Sequence, residues 1–481
     1  MKKTGLFKII MFVLLGIVVA TWIFSASYYT NGSISNLEMY NVGFFDFWQL
    51  LFGTFEFQYF IQIALLILSV GALYEVLGKT GKYRAWIERI VKNFSGAELV
   101  FLLCVAFLIV AISSVFDYGL GLFIFFPFLI SIILAMGYDK FTALIATFGS
   151  LLVGTIGSTT GYNTTGVVNN LLNADANNAI VVKIILLVLA MAIEFFFLYK
   201  AKRTKTTKKN DKETTEDMFI GEKISNKYSV VGIIIVFSLL FIILVLGCTQ
   251  WENTFGVKVF SEFKDHLFDI KVKLPYFHLT TAGVDSGTQK IAIFSKIFGT
   301  VSAFGEWYYA EMSVMCLLAA ILIGLIYRVK DLFENMANGA KKMLQPAFLI
   351  VLIYSVIYFA GNTMFYPTIA SLLLGITSKF NLFFGTITMA IASAIHVDML
   401  YVANYSVQQL AGTGASTETV SILTQGIYGV TMFIAPTSAV LALGLSYLGI
   451  SYKEWVKKTW KLTVALLALV VVMTVITVFV Y

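Results

Sequence analysis

The run Ser158-Thr159-Thr160-Gly161-Tyr162-Asn163-Thr164-Thr165 sets five aliphatic hydroxyls, a phenol and an amide at the end of an apolar stretch, 141–156. Such groups do no covalent chemistry unaided. With the backbone around them they offer oxygen and N–H partners to a polar solute or a hard cation. Hydrocarbon leaves unpaired backbone groups unsatisfied at heavy cost, so a spanning helix that breaks must line protein or water. Breaks dense in hydroxyls and amides are how many secondary transporters form a site near the midplane. A helix break is therefore expected between Gly157 and Gly166.

A second polar set lies in the other half. Gln425 and Thr431 lead into Ile434-Ala435-Pro436-Thr437-Ser438. Pro436 frees a carbonyl in the preceding turn, and Thr437 and Ser438 offer hydroxyls beside it. Three ionisable residues stand in apolar settings: Asp117, flanked by Gly119 and Gly121, and the pair His396 and Asp398. An acid at the bilayer centre costs roughly 2.5–3.5 kcal/mol on insertion scales, so it has a partner, a function, or water at a hairpin mouth. Residues two apart do not share a helix face, so His396 and Asp398 converge only where the backbone turns. All three are candidates for coupling protons or contacting solute. Glu56, Glu75, Glu194, Glu306 and Glu311 read as structural. Glu194 is expected to reach toward basic residues at its helix end, and Glu306 and Glu311 to sit in an aromatic belt with Trp307, Tyr308 and Tyr309.

The elements that must position these groups are helices. Apolar residues make up 59% of the 481 and charged residues 13%, which defines an all-α polytopic membrane protein. Twelve apolar segments are legible, some of them half-spanning, and the first, 6–25, reads as a retained helix rather than a cleaved leader. Cys104, Cys248 and Cys316 are scattered and form neither a disulfide framework nor a metal site. A net charge of +7 is what the inner loops of a membrane protein supply, so no nucleic-acid partner is needed. The tract 200–227 carries nine Lys or Arg against five acids and divides the chain into halves 1–199 and 228–481. It reads as a cytoplasmic linker, and Lys2, Lys3 and Lys8 place the N-terminus on the same side. The polar region 248–300, with six Lys and five acids, reads as an external loop with short amphipathic pieces. Basic flanks then give helices 179–199 and 462–481 opposite senses, as an inverted repeat requires. The loop 328–345 has a basic surplus of two, which favours the inside where inversion favours the outside.

Ala135-Met-Gly-Tyr-Asp-Lys-Phe-Thr-Ala-Leu144, the Gly-rich run to Ser158-Thr159, Pro436-Thr-Ser438 and Leu448-Gly-Ile-Ser-Tyr-Lys-Glu-Trp-Val-Lys457 together resemble the C4-dicarboxylate anaerobic carrier family, YfcC-like branch. The likeness covers about 50–199 and 307–470. It implies membership of the ion-transporter superfamily, with two inverted repeats, each holding a re-entrant hairpin and a broken transmembrane helix, in an elevator-like and often dimeric carrier of dicarboxylates or basic amino acids. The sequence departs from the family where ligands would lie. Leu120 and Gly121 stand in place of paired glutamates, Ser158-Thr-Thr-Gly-Tyr162 in place of Ser-Thr-x-Asn-Pro, and Tyr428 and Met432 in place of Asp and Asn. A Ser-Gly-Ser-Gly tip is missing around His396–Asn404. Substrate therefore does not carry over.

These readings converge on a secondary active transporter of a small polar organic solute, an amino acid or a carboxylate, in the cytoplasmic membrane. Breaks 157–166 and 425–438 are expected to face each other, with helix-end N–H groups attracting a carboxylate. A basic amino acid exchanger of the same fold is the alternative. An ion channel needs a polar stripe along full-length helices, and a polytopic membrane enzyme needs clustered His, Asp or Arg, whereas three His and four Arg are dispersed. No catalytic residue, metal or prosthetic cofactor is expected. Coupling is left among Na⁺, a proton and exchange, and the expected partners are the solute, the lipid bilayer and a second copy of the chain.

Overall fold

In the computed structural model, which describes residues 5–30, 32–37, 42–201, 216–221, 229–281, 283–299 and 302–481, eight helices are long and apolar enough to cross a bilayer. They are Gln58–Lys79, Glu98–Val115, Ile180–Tyr199, Val231–Cys248, Tyr309–Ile326, Leu344–Thr363, Thr417–Leu448 and Tyr452–Val480. At 1.5 Å per residue, even an 18-residue member spans about 27 Å. Val181, Ile184, Val188 and Phe196 on Ile180–Tyr199 are exposed, as are Val464, Val472 and Ile476 on Tyr452–Val480. Apolar side chains on an outer flank are a lipid-facing surface. The chain is a multi-pass membrane protein.

Two hairpins fold back within the protein, the first of them built on Glu98–Val115, which has the length to cross but turns instead. Glu98–Val115 turns at 116–125 into Phe126–Ala135, where Pro127 sits in the first turn and costs no hydrogen bond. Leu382–His396 turns at Val397 into Met399–Ala411. Asp398 caps the returning helix by accepting from the Leu400 N–H at 3.0 Å. Each hairpin is followed by an interrupted helix. The first comprises Lys140–Ile156 and, beyond a break at 157–161, residues 162–171. The second comprises Thr417–Ile434 and Ala439–Leu448.

The two interrupted helices run antiparallel. Phe141 at the start of the first lies 5.4 Å from Trp455, just beyond the end of the second. At the opposite extreme Asn178 donates to the carbonyl of Thr417, where the second begins. This defines two faces. Lys79, Lys140, Lys342 and Lys458 mark a basic face, tied together by Lys342–Glu75 at 2.5 Å and by Lys458 over Phe141. The loop 328–345 lies here beside Lys79, so its basic surplus is matched by its position. Helix Leu332–Lys342 packs Gly339 against Gly71, where a Cβ on Gly71 would come within 2.5 Å of the Gly339 carbonyl oxygen.

The all-α expectation meets two small exceptions on the far face. Ser27–Thr30 pairs with Ser33–Asn36, and Lys271–Thr280 pairs with Gly283–Ala292, each as an antiparallel ribbon. The second lies in the region 248–300, expected to hold only short amphipathic pieces. Alternating Val272, Leu274 and Tyr276, paired with Gln289 and Gly287 and turned near Gly283, carries the strand signal there.

Candidate functional site

The first break is closed by groups from two other elements. Helix Glu98–Val115 ends near it, and its orphan Ser114 carbonyl accepts from the N–H groups of Thr159, Thr160 and Gly161 at 3.0, 3.4 and 3.2 Å. The Ser114 hydroxyl donates to the Gly157 carbonyl at 2.8 Å, and the Thr160 hydroxyl to the Val115 carbonyl at 3.0 Å. From the second interrupted helix, Gln425 donates to the carbonyls of Ile156 and Ser158 at 3.2 and 3.1 Å and accepts from the Thr165 hydroxyl at 3.0 Å. Close approach is set by glycine. A Cβ on Gly154 would lie 2.5 Å from Ser113 Cβ, and one on Gly161 would lie 2.7 Å from Asp117 Cβ. Tyr162–Gly166 then forms a π-helical turn, as does Ile145–Gly149 upstream. Such turns concentrate at functional sites.

The second break follows the same logic. Pro436 holds Ala435 extended at ψ 130°, and Ser438 restarts the helix by accepting from the Leu441 N–H at 3.2 Å. The Thr437 hydroxyl donates to the Ala394 carbonyl at 2.7 Å at the tip of the second hairpin. Trp455 Nε1 donates to the Phe433 carbonyl at 2.7 Å and the Tyr452 hydroxyl to that of Ile434 at 2.5 Å. The hairpin tip is strained. Val397, a β-branched residue, has φ +59° and ψ −47°, with the Asp398 N–H donating to the His396 carbonyl at 2.5 Å, a γ-turn.

Between the hairpin tips lies a cavity of about 540 Å³, within the range that encloses a small organic solute. Asp117 comes to it from the first tip and Asp398 from the second. Asp117 has φ +53° and is buried; its carboxyl faces the Thr164 hydroxyl and N–H, while Oδ2 makes no hydrogen bond within the protein. Asp398 Oδ2 accepts from the Tyr59 hydroxyl at 3.2 Å. Tyr309 lies 5.7 Å from Tyr59, and Tyr428 donates to the Val397 carbonyl at 3.0 Å. Gln62, Thr155, Asn163 and Thr164, with Tyr162, Tyr308 and Tyr401, make up the rest of the polar lining. Among the described residues no Lys, Arg or His lines this cavity. Two acids, a ring of phenols and no cation make a site that attracts positive charge.

The residues singled out by sequence therefore divide. Asn163, Thr164, Asp117 and Asp398 line the cavity. Ser158, Thr159, Thr160 and Thr165 hold the first break together, and Gln425 clamps it. Thr437 and Ser438 build the second break with Pro436, and Thr431 supplies the carbonyl that Ala435 caps. The two stretches expected to meet, 157–166 and 425–438, are in contact through residues 425–429: Gln425 bonds the first break, and a Cβ on Gly429 would come 2.5 Å from Ile156, two turns before Pro436. His396 does not share the cavity with Asp398. The turn at Val397 sends it inward, where it stacks on Tyr405 at 4.4 Å and meets Tyr366 edge-on at 5.1 Å. Glu194 does not reach for basic residues either. It is fully buried and accepts from the Ser150 hydroxyl at 2.9 Å beside the π-helical turn. Tyr59 and Gln62 carry no sequence signal of their own, and Tyr428 is marked only as a departure from the family's Asp. Tyr309 reads as belt, and only the hairpin topology brings it to the site.

A membrane protein with two hairpin tips and two interrupted helices around one acidic cavity has the build of a carrier. The sequence matches the C4-dicarboxylate anaerobic carrier (DcuC) family over residues 4–479, and the chain belongs to that family. An uncharacterized protein of Haemophilus influenzae is 27% identical over 129 residues, a match spanning 27% of this chain and 25% of that one. The YdaH transporter of Alcanivorax borkumensis, whose crystal structure has an unusual topology, aligns over 99% of both chains at 13% identity with a TM-score of 0.42.

Proposed function

We propose that this protein is a secondary active carrier of a small polar organic solute, bound between Asp117 and Asp398, and that the solute presents a cationic amino group. The observation that carries this is the cavity lining, with two carboxylates and no basic residue. Family membership supports a carrier. The family is named for C4-dicarboxylates, but a dicarboxylate here would set like charges together. Two unit charges about 4 Å apart at an effective dielectric of about 20 repel by about 4 kcal/mol, close to a thousandfold in affinity. A basic amino acid reverses that sign, with tyrosine faces adding cation–π attraction. Gln62 and Asn163 then serve the rest of the molecule. We place the basic face in the cytoplasm, with the N-terminus, by the positive-inside rule. The halves then read as inverted repeats, with helix Val231–Cys248 as the extra span between them. A proton or Na⁺ on the same acids, or exchange, supplies the coupling, and a second copy of the chain is the proposed partner in the membrane.

A thermal-shift screen of the purified protein tests this, with basic amino acids, other amines, neutral amino acids and C4-dicarboxylates, each in Na⁺ and in K⁺. A ligand of the folded state stabilises it by about 2.7 kcal/mol at a hundred times its Kd. Stabilisation by a cationic solute and none by a dicarboxylate is expected. The reverse would falsify the charge reading and return the family's own substrate class.

A further inference from the structure

Residues 216–221 interrupt the basic tract 200–227 with Glu-Asp-Met-Phe-Ile-Gly, and they are not a surface loop. Phe219, Asp217 and Ile220 are buried at 2%, 7% and 8% exposure. The segment is gripped from one side by the helices of the basic face. Arg84 donates to Glu216 at 2.5 Å and to the Gly221 carbonyl at 3.3 Å. Lys342, itself paired with Glu75, donates to the Met218 carbonyl at 3.5 Å and lies 5.3 Å over the Phe219 ring. Phe219 also packs 6.2 Å from Tyr74. From the other side it holds the inner arm of the second interrupted helix, Ala439–Leu448. The Tyr447 hydroxyl donates to Asp217 Oδ2 at 2.6 Å, and the Tyr447 ring stacks 6.4 Å from Phe219.

Two glycines write this docking into the sequence. Gly221 has φ +66°, and a Cβ there would come within 2.3 Å of the Gly78 carbonyl oxygen. A Cβ on Gly78 would in turn come within 2.6 Å of the Phe219 carbonyl oxygen. Backbone meets backbone across both, which ordinary side chains forbid. A linker that merely joined two halves would need neither glycine nor a buried phenylalanine.

We propose that residues 216–221 are a latch, clamping the inner arm Ala439–Leu448 to helix Gln58–Lys79 and its neighbours, and so keeping the cavity shut toward the basic face. The proposal rests on the carrier reading. Val440, on that same arm, lines the cavity, and so does Tyr308, which caps the start of helix Tyr309–Ile326. Opening toward the basic face moves the arm away from Tyr74, and that motion must part Tyr447 from Asp217 and Phe219. The latch thus sets the balance between the two facing states of the carrier without touching solute.

Side-specific labelling tests it without any substrate. Val440→Cys is introduced with Cys104→Ser, and the full chain is reconstituted in vesicles of known orientation. An impermeant maleimide is then applied from each side. Tyr447→Phe removes one hydroxyl, and Phe219→Ala removes the wedge. Both are expected to raise labelling from the basic side at least tenfold and to leave the thermal midpoint within a few degrees. Arg84→Gln, acting from the opposite side of the segment, is expected to do the same. Unchanged labelling in Tyr447→Phe and Arg84→Gln overturns the latch, whether or not Phe219→Ala folds. If labelling shifts but no solute of any charge is bound or moved, the latch stands and the carrier reading fails.

Discussion

At the scale of single residues, the site turns on where two backbone oddities aim two acids. Asp117 in left-handed conformation and the γ-turn at Val397 both point a carboxyl into one cavity. A charged hydrogen bond contributes about 1.5–3 kcal/mol. Asp398→Asn is therefore expected to weaken binding of a cationic solute by about 10–100-fold, read by titration calorimetry. Tyr59→Phe, which removes only the neutral donor to Asp398, is expected to cost about 2–10-fold. An Asp398→Asn protein with wild-type affinity would mean that this acid does not meet the solute. His396→Phe is expected to leave the pH profile of uptake into proteoliposomes unchanged, since its ring is stacked on Tyr405 away from the cavity. A shifted profile would make the imidazole a coupling group. Sequence flagged His396 and Asp398 together because both are ionisable in an apolar run. It could not say which way the turn would send each. Two neighbours of a γ-turn leave in different directions, and only the fold resolves that.

At the scale of elements, a helix break is stable in a membrane only if other elements complete its hydrogen bonds. Gln425 does this for the first break with three contacts from one side chain. Gln425→Leu keeps the volume and leaves the Ile156 carbonyl without the amide, at about 1–3 kcal/mol, while Thr165 and Ser158 keep their bond to each other at 2.8 Å. A loss of folded, monodisperse protein in detergent is expected, ahead of any change in solute preference. Normal yield and thermal midpoint would show the break to be closed by water instead. Gly154→Ala pushes a methyl into Ser113 Cβ and the Val110 carbonyl, an overpacking that costs about 1–3 kcal/mol and should lower the midpoint likewise. The breaks themselves were legible, because Gly-Ser-Thr-Thr-Gly and Ala-Pro-Thr-Ser cannot continue a helix in hydrocarbon. Of their partners, only Gln425, in the stretch expected to meet the first break, was legible too. The hydroxyls that looked like ligands for a solute are the closure of the break, and they take that role because Ser114 arrives from a hairpin whose path no local pattern encodes. The convergence of phenols on Asp398 is hidden for the same reason: Tyr59, Tyr309 and Tyr428 come from three separate helices.

At the scale of the whole molecule, the charge pattern marked the tract 200–227, of which 202–215 and 222–227 lie outside the described residues, while the burial of 216–221 within it escaped that pattern. Burial pushes Asp217 up to about 6, opposed by the Tyr447 hydroxyl, the Phe219 N–H, Lys140 and Lys342. A carboxyl with a raised folded-state pKa contributes stability that is complete below its unfolded value near 3.9 and is lost as pH rises through about 6. The difference corresponds to roughly 3 kcal/mol. Hydrogen exchange at residues 216–221 is therefore expected to be slower at pH 5 than at pH 8, after correction for the intrinsic rate, and Asp217→Asn should abolish the difference. Equal protection at both pH values in the wild type would remove Asp217 as its source. Another consequence follows from Gln425, which stands 260 residues after Thr165. A ribosome adding about 5–20 residues each second needs roughly 13–50 s to bridge that distance. Throughout that interval the Ser158 carbonyl can be held by the Thr165 hydroxyl, but that of Ile156 lacks the Gln425 amide. The nascent chain must shelter it with water, with the insertion machinery, or by delaying the break. A half-length product ending near residue 199 is therefore expected to be degraded faster than the full chain, because the Gln425 amide that completes its helix break comes from the second half.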